Sequence, residues 1–343
     1  MSFSTMEHRR QRGLTLIELM IAMVLGLLVT LAVVNLFLTT RAVYRQNENL
    51  ARMQESARFA FEFLGRDIRE AGGIPCGGNL PTANVLNNFS SNWWSNWGDG
   101  IHGYDDTQDT FPPRHFGSNA LDRVANTDAF IIMTGTLGNK VIITDHDPNS
   151  AQFKVNTTAH GLTDGDIVMV CDYRQAAIFQ ITNANSSNVT IVHNTGGSVS
   201  PGNCSKGLGV PTVCTTNGTS YTFQNGGFLG KLSAFAWYVG HNARGGTSLY
   251  RVRMNNTGGT AGVTTDEIVE GVTDMQVTYL VRADNGTLAN DYVGASAVAA
   301  TDWKKVVAVR VALTFASLEN VGTEQQRLAR SLITVYTLRN RAP

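Results

Sequence analysis

Residues 12–38 read "RGLTLIELMIAMVLGLLVTLAVVNLFL", an almost unbroken apolar run with one carboxylate, Glu18, near its front. The 25 residues from 14 to 38 contain no other charge. As a helix rising ~1.5 Å per residue they extend ~37 Å, enough for a ~30 Å hydrocarbon core. The run is too long for a secretory signal peptide, and no small-x-small cleavage site follows it. Arg9, Arg10 and Arg12 against Glu7 favour a cytoplasmic N-terminus, while Arg41 and Arg45 beyond the far end weaken the asymmetry. An ionisable group inside such a run costs several kcal/mol by insertion scales, so Glu18 is expected to find a partner there.

The helical pattern continues past the membrane. Leu50, Met53, Ala57, Ala60, Phe61, Leu64, Ile68 and Ala71 recur at threes and fours, which marks one helical face. Gly72, Gly73 and Pro75 then stop it. The pattern predicts one helix of ~58 residues and ~87 Å over 14–71, its second half laid under a globular domain with Arg45, Glu48, Arg52, Glu55, Arg66 and Arg69 in water.

Beyond Gly73 the chain turns rich in Gly, Asn, Thr and Ser with short β-favouring runs, among them "DAFIIMTG", "KVIITD", "GDIVMVCD", "AAIFQIT", "AFAWYVG", "LYRVRM", "DMQVTYLVRA" and "LITVYTLRN". In "VVAVRVALTF", Val307, Val309, Val311, Leu313 and Phe315 share one face, the mark of a strand with a core side and a more polar side. The head is therefore expected to be mostly antiparallel β, with "SNWWSNWGDG" and "NTTAHGLTDGD" as loops.

Composition limits the function. The 343 residues carry 27 Lys+Arg and 27 Asp+Glu, and without a basic cluster beyond the N-terminal tail there is no footprint for nucleic acid. No metalloprotease, nucleophile-elbow, dinucleotide-binding or P-loop motif occurs. Acidic stretches around Asp145, His146 and Asp147 and around Asp105, Asp106 and Asp109 offer carboxylates for Ca²⁺ but read rather as solvated turns, and neither has the EF-hand spacing; no metal or cofactor is expected. The seven histidines fall mostly in polar loop sequence. Trp93, Trp94 and Trp97 read either as a contact for a partner or as a small satellite core over a sheet edge. Cys76, Cys171, Cys204 and Cys214 all lie in the head, an even number that suits an oxidising compartment and allows three pairings. The favoured one joins Cys204 to Cys214 across a short Gly/Asn-rich loop and Cys76 to Cys171.

Arg12-Gly13 followed by "LTLIEL" resembles the class III signal of type IV prepilins and of type II secretion pseudopilins. The resemblance implies a prepilin peptidase that cuts after Gly13 and methylates the new amine of Leu14, a position where many members carry Phe. It also implies that the amine of an incoming subunit and the Glu18 carboxylate neutralise one another in an apolar helix bundle. "RDIREAGGIPCGG", "GDIVMVCDYRQAAIFQIT", "EIVEGVTDMQVTYLVR", "VVAVRVALTFAS" and the terminal "YTLRNR" are similar to the PilW family of minor pilins.

That resemblance implies an α+β, type IV pilin-like lollipop. Its parts are a leader at 1–13, a transmembrane half-helix at 14–38, an amphipathic half-helix at 39–72 and a β-rich head at 73–343. It further implies a pilin that primes pilus assembly and joins a tip complex, supporting twitching motility and adhesion. The implied partners are other minor pilins, the major pilin and a tip adhesin. Its place would be the bacterial inner membrane, head in the periplasm, and later the pilus tip. Two alternatives share the anchor: a J-type minor pseudopilin, for which this head is large, and a membrane-tethered binding protein or hydrolase, for which no catalytic constellation is found.

Overall fold

The computed structural model describes residues 15–74, 80–322 and 326–341, with the side chains of 136–139 left aside. The leader, Gly13, Leu14, Pro75 and Cys76 therefore lie outside the described residues. The chain divides into two compact units, one of residues 1–52 with 317–328, the other of 53–316 with 329–343.

Helix α1 is continuous over Leu16–Glu70, 55 residues. In the first unit every side chain from Leu16 to Leu38 is exposed, and the helix is long and apolar enough to cross a membrane. Past the apolar run it carries an Arg52–Glu48 pair one turn apart (2.6 Å). Arg45 also reaches Glu319, at 2.8 Å.

In the second unit Met53, Ala57, Ala60, Leu64, Ile68 and Ala71 are buried while Glu55, Arg66 and Arg69 stay exposed, as the spacing predicts. Gly72 ends the helix in the left-handed region (φ 68°), where a side chain would be strained, and its N–H donates to Met133 O (2.9 Å).

The head holds two sheets. The larger has eleven strands among the described residues, in the order β1-β6-β5-β9-β3-β4-β8-β7, with β2 on β3 and the β10–β11 hairpin on β9. Its strands are β1 Thr82–Asn84, β2 Ile101–Tyr104, β3 Ala129–Asp147, β4 Gln152–Val155, β5 Ile167–Cys171, β6 Ala176–Gln180, β7 Asn183–Ala184, β8 Thr190–Val192, β9 Phe228–His241, β10 Thr247–Thr257 and β11 Thr260–Glu270. Only β1 with β6 is parallel among the pairings described. The smaller sheet is β12 (Val272–Val281), β13 (Val306–Ala316) and β14 (Ala329–Thr337), all antiparallel.

Two expected strands, "DAFIIMTG" and "KVIITD", are one strand, β3, whose register against β9 shifts between Thr136 and Val141. An irregularity inside one long strand looks, in sequence, like a turn between two short ones. Strands β1, β2, β4, β7 and β11 were not expected; β11, "TAGVTTDEIVE", is mostly polar and is held as a strand by pairing with β10.

Alternation on β9 sets the layers. Leu232, Ala234, Ala236 and Tyr238 enter a cluster with Ala129, Ile131 and Met133, so the intervening Trp237 points to the opposite face, where it meets α1. A second cluster gathers Val141, Ile143, Phe153, Val168, Phe179, Phe223 and Leu229.

Asp128 joins the sheets: its N–H donates to Met275 O (2.8 Å) and its carboxylate accepts the Val277 N–H (2.6 Å). Burial pushes its pKa up to about 7, against that hydrogen bond and the Arg123 charge, which pull it down. The folded head thus holds a proton that the unfolded chain releases near pH 4. The stability this site contributes is complete below pH 4 and is lost as the pH rises through about 7. Asp128→Asn keeps the acceptor without the charge. The variant is therefore expected to melt above the parent at pH 8 and to lose that advantage at pH 4, a difference that thermal scans at the two pH values check.

Candidate assembly site and helix clamp

At the start of α1, Thr15 and Glu18 bond reciprocally. The Thr15 N–H and hydroxyl donate to Glu18 Oε2 (2.9 and 3.0 Å), and the Glu18 N–H donates to the Thr15 hydroxyl (3.3 Å). This is a capping box, which satisfies donors that the first helical turn leaves orphaned. Its signal, Thr and Glu three residues apart before an apolar run, is present in the sequence but was not used there. Gly13 and Leu14, expected to be cut and methylated, lie outside the described residues.

The helix half that belongs to the head is held by a clamp the sequence reading missed. Asp67 sits on the buried stripe between Leu64 and Ile68 and is itself buried. Its carboxylate accepts two hydrogen bonds from Arg251 of β10 (2.7 and 2.8 Å) and one from Trp237 Nε1 of β9 (2.9 Å). Burial raises its pKa, and the Arg251 charge and hydrogen bonds, then Trp237, pull it back. The Arg251 guanidinium also stacks 4.0 Å from the Phe235 ring centroid. Six residues back along the helix, Tyr336 of β14 donates to Phe61 O (2.6 Å). Its ring lies so close to Gly65 that a Cβ there would stand 2.4 Å from Cε1. A glycine inside a helix costs up to ~1 kcal/mol relative to alanine; here it is the condition for the ring's approach.

Arg123 is a second buried charge. Its guanidinium donates to the carbonyls of Gln108 (2.8 Å), Asp105 (3.0 Å) and Thr127 and lies over Phe116 (4.4 Å to the centroid). Burial lowers its pKa to about 10, with Asp128, Asp109, Asp106 and Asp105 opposing, so it remains a cation at neutral pH.

Cys204 and Cys214 form a disulfide. Cys171, at the end of β5, is also disulfide-bonded; Cys76 lies outside the described residues. Trp94 is buried in the core cluster, and Trp93 and Trp97 are half-buried against it.

Three of the seven histidines, His146, His160 and His193, are buried. His146 ends β3 rather than lying in a loop, and its Nδ1 accepts the Phe223 N–H (3.0 Å). Its proton therefore sits on Nε2 and is donated to His193 Nε2 (3.2 Å). Burial lowers the two pKa values to about 4 and about 3. The flanking acidic residues are occupied as well: Asp147 accepts from the Asn149 N–H and the Ser150 hydroxyl, and Asp105 from the Ala295 and Ser296 N–H groups. Among the described residues no three His, Cys, Asp or Glu side chains are grouped to hold a metal ion.

No curated protein matches the chain. The match to the prokaryotic N-terminal methylation motif covers residues 8–34, which include Gly13, Leu14 and Glu18. A second match, to the family model described as type IV pilus-assembly protein W, covers residues 236–338, which supply Trp237, Arg251 and Tyr336 of the clamp together with the whole three-stranded sheet. The motif and the apolar helix fit a membrane-anchored pilin, and together the two family matches support a type IV pilus minor pilin of the PilW kind.

Proposed function

We propose that the chain is a minor pilin that primes assembly of a type IV pilus and stays in the complex at its tip, with twitching motility and adhesion as outputs of the filament. The observation that carries this reading is one continuous helix that begins at a Thr15–Glu18 capping box, runs uncovered and apolar to Leu38, and ends buried in a β head. An uncovered apolar helix needs either lipid or other helices around it, and a filament core supplies the second. In this reading the order of parts is a leader at 1–13, a membrane half-helix at 14–38, an amphipathic half at 39–72 and a head beyond. The role is structural rather than enzymatic.

Glu18 then has successive partners. Before assembly Thr15 satisfies its carboxylate. On assembly the methylated amine of Leu14 on an incoming subunit supplies the opposite charge, since a charge in an apolar bundle is tolerated when paired. Other minor pilins, the major pilin and an adhesin are the proposed neighbours, and an inner-membrane prepilin peptidase prepares the chain.

Glu18→Ala is expected to leave leader cleavage intact while pilus number per cell falls several-fold, counted by electron microscopy beside an immunoblot for the processed form. Wild-type piliation in the variant would remove the role given to Glu18. A J-type pseudopilin would instead leave pilus number unchanged on deletion and stop protein export.

A further inference from the structure

The Trp93 loop borders a cleft of about 430 Å³ in the head, within the range of roughly 300–1,000 Å³ of small-ligand sites. Three aromatic residues, Trp93, His102 and Tyr104, line it together with Ile131 and Met133. Polar residues complete the lining, among them Ser91, Asn96 and Asp99. Nothing lies within 4 Å of where a Cβ on Gly98 would be, so the wall is open there.

The cleft is built rather than left over. Asp99 bonds His102 Nδ1 (3.2 Å), and His102 packs against Trp303 and Tyr104 at 4.5 and 5.2 Å between centroids. Half-buried Arg341 donates to Asp99 O, and Gly100 O accepts the Met133 N–H (2.8 Å). On the Trp93 side, the Ser95 hydroxyl donates to Phe89 O (2.7 Å). Trp94, buried in the core, anchors the chain next to Trp93. Trp93 itself is half-buried.

We propose that this cleft binds a neutral saccharide. A pyranose presents an apolar face of C–H groups that covers an aromatic ring and a rim of hydroxyls that bond amides, hydroxyls and carboxylates. A lining that combines Trp93, His102 and Tyr104 with Ser91, Asn96 and Asp99 offers partners for both. An aromatic peptide side chain would cover the rings but strip water from these polar groups without replacing their hydrogen bonds. The Asp99 charge selects against acidic sugars. The proposal stands on the head alone and does not depend on the filament reading.

The test uses the full chain in a zwitterionic, sugar-free detergent. Glucose, galactose, N-acetylglucosamine and their neutral disaccharides are titrated, with a tryptophan-containing peptide alongside, and binding is read by saturation-transfer NMR and tryptophan fluorescence. At least one neutral saccharide is expected to saturate. Trp93→Ala and Asn96→Ala are each expected to weaken it about tenfold, the loss of one stacking or polar contact. Asn96 is exposed, so its variant decides the matter if Trp93→Ala fails to fold. Absence of saturation by every saccharide, undiminished binding in Asn96→Ala, or saturation by the peptide alone would each overturn the proposal.

Discussion

Asp67→Ala is expected to destabilise the head by about 3–5 kcal/mol, the cost of removing one partner from a buried ion pair. The reason lies in what is left behind. Arg251, most of whose side chain is inside the head, would keep a charge with no carboxylate, and Trp237 Nε1 would lose its acceptor. All five tryptophans fall between 93 and 303, so tryptophan fluorescence during denaturant unfolding of the full chain reports the head. Asp67→Asn keeps an acceptor for Trp237 but not the charge and should fall between the two. A change under about 1 kcal/mol in Asp67→Ala would mean that apolar packing alone seats the helix and that the clamp is incidental.

Arg123→Ala is expected to cost at least about 4 kcal/mol, combining unpaired carbonyls at about 1–3 kcal/mol each with the cavity left by a large side chain. The guanidinium is the shared donor for Gln108, Asp105 and Thr127, which brings a loop with no strand of its own against the start of β3. Lysine should recover a small part, because an ammonium cannot present the planar fork that reaches several carbonyls at once. Limited proteolysis is the second readout: cleavage should appear between 105 and 127 in the variant while the rest of the head stays resistant. Uniform resistance, with a parent-like midpoint, would show that the loop is ordered without Arg123.

How far the sequence foretold this molecule depends on the range of the interaction. The helix was legible because its cause is local: the apolar period from Met53 to Ala71 and the glycine pair after it act within a turn or two. The face of β13 was legible for the same reason, since alternation alone puts Val309, Val311 and Leu313 inside. The Cys204–Cys214 bridge closes a separation of only 10 residues. What stayed hidden is long-range. Asp67 occupies the stripe at the right spacing, yet charged residues on a helix read as solvated until a partner such as Arg251, 184 positions away, is known. Gly65 carries no signal of its own in the sequence, because the ring that needs the space belongs to Tyr336. The burial of His146 and His193 was hidden for the same reason, each being covered by the other and by Phe153.

The functional end of the chain shows the reverse. Glu18 is conspicuous as the one charge in the apolar run, but its capping partner Thr15 is uncharged and does not stand out beside it. The Trp93 loop was legible as unusual and no further: whether its rings cover a core or line a cleft depends on Trp94 turning inward and on Asp99, His102 and Tyr104 arriving from β2 and the turn before it.

The central claim is that the chain is processed and built into a filament, and mass spectrometry of the intact protein and its N-terminal peptide, from membranes and from sheared surface filaments of the native host, tests it most directly. The account predicts a species that begins at Leu14, carries one added methyl group and is present in the filaments at trace level relative to the main pilin. A chain that retains residues 1–13 and is absent from filaments would contradict it.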